Sequence, residues 1–141
     1  MDGHQAIWFC DMKKFKYYND ALGYQKGDEM LCRMFDVIHH LEGEEGIFCR
    51  MAADNFVGLK VYEERQELTD WFEALLNELH REESETASRS YLELCMGFYC
   101  IGPDDNILSI NEMVNRANMA QKSVKDRSGS CSTFFNETLR Q

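Results

Sequence analysis

The sequence predicts an α+β domain: a mixed central β-sheet containing a hairpin, with helices packed on it. Three observations lead there. Short apolar runs carry aromatic and β-branched residues, helical apolar spacing fills the stretches between them, and two runs are separated only by a tight polar break. With 141 residues the chain has the length of one domain. Hydrophobic content of 44% and aromatic content of 12% exclude a disordered chain, and the single proline excludes a proline-rich linker.

Ala6-Ile7-Trp8-Phe9-Cys10 reads as a buried strand. Phe15, Tyr18 and Leu22 then recur at helical spacing, and Gly23 ends that helix. Met30, Leu31, Met34, Phe35, Val37, Ile38 and Leu41 trace one face of a longer helix. A loop from Glu42 to Gly46 leads into Ile47 to Met51 and, past Ala52 to Asn55, into Phe56 to Val61. That pair is the hairpin. Leu68, Trp71, Phe72, Leu75, Leu76 and Leu79 make the cleanest amphipathic helix, and Glu82 to Ser90 reads as a polar loop. Tyr91 to Ile101 is a long strand with Leu92, Leu94, Met96 and Phe98 on one face, broken by Gly102 to Asn106. Ser109 and Glu112 have the spacing of a capping box, which opens a last helix through Met113, Val114, Ala117 and Val124. Thr133-Phe134-Phe135 fits a final edge strand, giving β-α-α-β-β-α-β-α-β.

Charge narrows the function classes. The formal net charge of −10 argues against a nucleic-acid polymer or an anionic membrane as partner. Residues 63–85 hold nine carboxylates against two arginines, and periodicity puts them on the solvated face of their helix. Residues 113–141 instead hold five cations against two carboxylates, a small basic region. No apolar run is long enough to span a membrane, and there is no signal-peptide pattern. Six scattered cysteines without a CxxC pair read as reduced structural thiols of a cytosolic protein. His39 and His40 read as cations favourable at a helix C-terminus.

Chemistry gathers at one sheet edge. Asp11 follows the first strand, and the hairpin tip adds Asp54. Two carboxylates brought together in this way make a hard oxygen site suited to Mg²⁺ carrying phosphate ligands. Asn19 and Asp28 stand at the end of one helix and the start of the next, where an amide and a carboxylate can read a base edge. Taken singly these signals are bland, since an aspartate at a strand end commonly caps a helix.

Together they form a pattern. Asp11-Met12-Lys13-Lys14-Phe15-Lys16-Tyr17-Tyr18-Asn19-Asp20, followed by Gly23-Tyr24-Gln25-Lys26-Gly27-Asp28, resembles the DxDxFKxxND…GHxxGD pattern of the GGDEF (diguanylate cyclase) family. Arg50-Met51-Ala52-Ala53-Asp54-Asn55-Phe56 stands where that family has its signature, Cys95-Met96-Gly97 where it has S-I-G, and Arg116-Ala117-Asn118 through Lys125 resembles its RAD helix. The resemblance runs over essentially the whole chain. It implies a fold like the palm of nucleotide cyclases, ferredoxin-like. It also implies a homodimeric arrangement in which two domains, each holding GTP on Mg²⁺, join the nucleotides into cyclic di-GMP. By position, Asp11, the Met12 carbonyl and Asp54 match the metal ligands, Asn19 and Asp28 the guanine-reading pair, and Lys125 a phosphate contact.

Departures from the pattern bear on activity. The signature is Ala52-Ala53-Asp54-Asn55-Phe56, so both glycines are replaced and Asn55 stands in place of a glutamate. Two methyls at the tip should crowd the ligand and disfavour the usual turn, and a neutral amide removes carboxylate charge from the metal site. Lys13 replaces the second aspartate of the first motif, and Gly43 and Gly46 occupy the defining positions of the inhibitory RxxD motif. The family's arginine after the phosphate lysine falls on Gly129, with Arg127 nearby as a substitute. The leading DxLTGLxNR helix is missing, so residues 1–141 are expected to be a single GGDEF-like domain of a larger protein, cytoplasmic even where its parent is membrane-anchored. The expected role is a catalytically silent, GTP-sensing or regulatory module for a neighbouring EAL or sensor domain, because Phe134 to Arg140 resembles the lead-in to an EAL domain. A weakly active cyclase and a purely structural partner-binding module are the alternatives.

Overall fold

A computed structural model describes residues 3–43, 46–52, 54–83 and 93–136, the side chains of Glu82 and Glu83 excepted. The elements are β1 (His4–Lys13), α1 (Phe15–Leu22), α2 (Tyr24–Glu42), β2 (Ile47–Ala52), β3 (Asn55–Tyr62), α3 (Arg65–Glu83), β4 (Glu93–Cys100), α4 (Ile110–Val124) and β5 (Cys131–Phe134), with a short 3₁₀ turn at Asp105–Ile107. Their order is the one expected, an α+β arrangement on a five-stranded sheet ordered β2-β3-β1-β4-β5. Only the β4–β5 pair is parallel, which makes the sheet mixed.

β1 lies at the centre, paired with β3 on one side and β4 on the other. A strand covered on both faces reads as a continuous apolar run. Its even positions, Ala6, Trp8, Cys10 and Met12, enter the larger core with Met34 and Ile38 of α2, Leu68 and Leu75 of α3, and Leu94, Met96 and Phe98 of β4. Its odd positions Ile7 and Phe9 pack with Tyr99, Met113 and Ala117 under α4. The sheet is thus sandwiched between α1–α3 and α4. Gly97 permits the second contact: a Cβ there would lie 2.1 Å from the Ala117 carbonyl oxygen and 2.5 Å from the Gln121 nitrogen. Ser109 caps α4, accepting from the Glu112 N–H at 3.1 Å, as the capping-box spacing predicts.

Several boundaries differ from the sequence reading. β1 extends from His4 to Lys13, so Asp11 lies inside the strand and not after it. The N-cap of α1 is Lys14, held at φ 62° without a side-chain cap bond, so Asp11 does not cap that helix. α2 begins at Tyr24, directly after Gly23, whose φ of 93° turns the chain out of α1, and Gly27 inside it fits closely under Asn19. Glu82 and Glu83 continue α3, while residues 84–92, including Tyr91 and Leu92 of the expected strand, lie outside the described residues. Cys49 is exposed despite its apolar run, because β2 is an edge strand. Glu63, Glu64, Glu67, Asp70 and Glu73 are exposed, as the solvated-face reading requires. Among the described residues no helix is long and apolar enough to cross a membrane.

Candidate functional site

The site is built where the carboxyl end of β1 meets the β2–β3 hairpin and the C-terminus of α4. Asp11 is paired in register with Asn55 of β3 and Cys95 of β4, and only 3% of it is exposed. The Met12 N–H donates to the Asp54 carbonyl at 2.9 Å, which seats the hairpin tip on the strand end. Lys125, the C-cap of α4, reaches across so that its Nζ lies 2.6 Å from Asp11 Oδ2. In the orientation that satisfies its surroundings, the Asn55 amide donates to Asp11 Oδ1 at 2.8 Å and to the Asp54 carbonyl at 3.3 Å. Both oxygens of a buried carboxylate therefore meet donors of the chain itself, as burial of a charge demands.

The charges respond to this crowding. Burial, and after it the neighbouring Asp11, push the Asp54 carboxyl above its ordinary value, with Lys125 and Arg50 opposing. The hydrogen bond to Asp11 raises the Lys125 ammonium, against the opposing effect of burial, and Asp54 adds to the rise. A strand carboxylate and a turn carboxylate brought this close are a donor pair fitted to a hard divalent cation. Among the described residues no group of three or more His, Cys, Asp or Glu gathers as a metal cluster. The pair is all the carboxylate charge the site offers.

The hairpin forms with alanine at its tip. Ala52 ends β2, pairs with Asn55 across a bulge, and is exposed; Ala53 lies outside the described residues. Arg50 Nε donates to the Ala52 carbonyl at 3.0 Å, and Phe56, 1% exposed, anchors the base of the tip in the core. Among the described residues Lys14 is the one non-glycine with positive φ, so Ala52 and Asp54 stand in the turn without left-handed backbone. At Ala52 the expected backbone penalty does not arise.

Asn19 and Asp28 are positioned by the α1–α2 corner. The Asn19 side chain lies over Gly27, so close that a Cβ there would stand 1.8 Å from Asn19 Oδ1. That oxygen is buried without a hydrogen-bond partner, an uncommon state for a buried acceptor. Asp28, one residue beyond Gly27, is exposed and lines an open groove of about 620 Å³ between α2 and α3, with Arg33, Asp36, His40 and Glu78. Asn19 thus faces α2 at Gly27, while Asp28 faces the groove between α2 and α3.

Lys13 has a role the sequence did not suggest. It is buried, and its Nζ donates to the carbonyls of Arg127 and, at 2.9 Å, Gly129, with Glu93 3.9 Å away. The ammonium ties β1 to the loop after α4. The Arg127 side chain is exposed, and it is its backbone that engages the strand. The sequence reading also missed Asn55 as a donor to Asp11; the signal available was an amide in place of an acid beside an obligatory charge.

A family model described as "Diguanylate cyclase, GGDEF domain" matches residues 2–131. No curated protein matches the sequence. Among solved structures, a truncated TpbB (YfiN) from Pseudomonas aeruginosa comprising only the GGDEF domain superposes with a TM-score of 0.78 at 18% identity, over 98% of this chain and 80% of that one. The active GGEEF domain of a diguanylate cyclase from Vibrio cholerae gives 0.75 at 17% identity, over 96% and 85%. An EAL/GGDEF domain protein from M. capsulatus gives 0.73 at 19% identity, over 95% and 86%. At these identities the likeness is one of fold.

Proposed function

Because the chain belongs to the GGDEF family of diguanylate cyclase domains, we propose that it is a catalytically silent member in cyclic di-GMP signalling that binds GTP and regulates a neighbouring domain. The observation that carries this reading is the state of Asp11: Lys125 and Asn55 occupy both its oxygens. A glutamate at position 55 would add metal-binding charge, whereas the amide donates a hydrogen bond to the remaining carboxylate and competes with a cation for it. Losing a group that stabilises transition-state charge costs orders of magnitude in rate.

Four features support nucleotide binding. The Asn19 oxygen without a partner suits a ligand N–H, Asp28 offers an exposed accepting carboxylate, and the Lys125 side chain is 47% exposed and able to turn from Asp11 to a phosphate. Asp11, Asp54 and the Met12 carbonyl would hold Mg²⁺, which when bound offsets charge on the phosphates. The M. capsulatus protein carries an EAL domain with its GGDEF domain, and that supports a regulatory role beside such a partner.

Incubation with GTP and Mg²⁺, followed by mass spectrometry, is expected to show no cyclic di-GMP; clear turnover identifies a working cyclase and overturns the reading. Calorimetric titration with GTP is expected to show Mg²⁺-assisted binding weaker than micromolar. Absence of heat at millimolar GTP leaves only a structural module.

A further inference from the structure

Two thiols adjoin the Asp11 centre without a part in the function above. Cys95 of β4 stands opposite Asp11 on one side and opposite Cys131 of β5 on the other. Directly opposed residues share a sheet face, and the two sulfurs are 3.6 Å apart. Neighbouring strands lie about 4.8 Å apart, within the roughly 4.4–6.8 Å that a disulfide requires between its Cα atoms. Cys95 is fully buried and Cys131 half-buried, so reagents reach the pair through Cys131.

Their hydrogens are in use. Cys95 Sγ donates to the Gln121 carbonyl at 3.1 Å, and Cys131 Sγ to the Val124 carbonyl at 3.2 Å. Both acceptors lie in the last turn of α4, where backbone carbonyls lack partners within the helix, and the Val124 carbonyl also accepts from the Arg127 N–H at 3.1 Å. That turn ends at Lys125, whose ammonium is paired with Asp11.

We propose that Cys95 and Cys131 form a reversible dithiol–disulfide pair whose oxidation state sets how firmly the last turn of α4 holds Lys125 against Asp11. The oxidant is a small-molecule disulfide. The Cys131 thiolate attacks one of its sulfurs, expelling one thiolate and forming a mixed disulfide. Cys95, its proton passed to the expelled thiolate, attacks the Cys131 sulfur and releases the second thiolate, which takes up the proton Cys131 lost. Two protein thiols are oxidised by two electrons, and one small disulfide becomes two thiols. Burial above all pushes the Cys95 thiol up to about 12, so ring closure is slow. On oxidation both S–H donors vanish, and the Gln121 and Val124 carbonyls lose those partners. The proposal rests on the Lys125–Asp11 contact and on neither nucleotide nor metal.

The test equilibrates the full chain in glutathione buffers from reducing to oxidising, alkylates the remaining thiols and maps peptides by mass spectrometry. Expected is a monomer lighter by two hydrogens, with Cys95 and Cys131 peptides linked and separable by dithiothreitol. Amide hydrogen exchange at Lys125 and Arg127 should rise on linkage by ~10-fold. Cys131→Ser, which keeps a donor for Val124 but no sulfur, should abolish both changes. A folded protein whose Cys95 and Cys131 stay unlinked in the most oxidising buffer overturns the proposal. So does linkage that leaves exchange unchanged.

Discussion

Asp11 shows how one side chain can hold two elements in place. Lys125 on its Oδ2 fixes the end of α4, and Asn55 on its Oδ1 fixes the hairpin. Asn55→Glu replaces the second donor with a like charge, so without divalent cations the urea midpoint should fall by an amount worth about 1–3 kcal/mol. Added Mg²⁺ should restore part of that loss. Asp54 makes the local stability depend on pH. Its carboxyl is raised in the folded state, chiefly by burial and then by Asp11. The contribution is therefore complete below the ordinary value of 3.8 and is lost as pH rises through the higher folded value. Asp54→Asn should flatten this loss in midpoints measured from about pH 4 upward. Asp11, Asp54, Asn19, Asp28 and Lys125 could be singled out in the sequence because each is an unusual residue at a fixed motif spacing. Asn55 as a donor, the Lys13 clamp and the Cys95–Cys131 pair were not visible there. Each depends on strands brought together from positions far apart in sequence, and the thiols have no CxxC spacing to announce them.

Among the elements, α4 is the most closely fitted. Gly97→Ala would press a methyl into backbone atoms of Ala117 and Gln121 that have nowhere to go. A loss of roughly 2–4 kcal/mol in the denaturation midpoint is the expected outcome, with α4 and β5 exchanging amide hydrogens first. The hairpin is the opposite case. β2 is exposed along most of its length and pairs only with β3 among the described strands, with Phe48 alone packing inward on Phe35 and Trp8. Ala52→Gly, Ala53→Gly and Asn55→Glu together should raise GTP affinity or produce measurable cyclic di-GMP by mass spectrometry; an inert triple variant places the defect beyond the signature. Element types were legible because apolar periodicity is strong in α2, α3 and β4. Their ends were less so. β1 runs three residues past Cys10 because β3 pairs with it as far as Asp11 and β4 as far as Lys13, and nothing in local composition records such neighbours.

For the whole molecule, charge is the organising quantity. A net charge of −10, with carboxylates crowded on the exposed face of α3, sets the chain against itself. Raising NaCl from about 10 to 200 mM should therefore raise the thermal midpoint by a few degrees and then level off as the Debye length falls below the spacing of the charges. The sheet order adds an asymmetry. Asp11 stands on the central strand, locked by neighbours on both sides, while Ala52, Asp54 and Asn55 of the signature stand at the β2–β3 hairpin tip. Ala52 is exposed at the end of β2, whereas Asn55 is bonded to the buried Asp11, so a change at the first leaves the core alone and a change at the second reaches it. One position of the tip is thus free to vary by itself, while Asn55, on the strand next to the edge, is tied to the centre of the sheet.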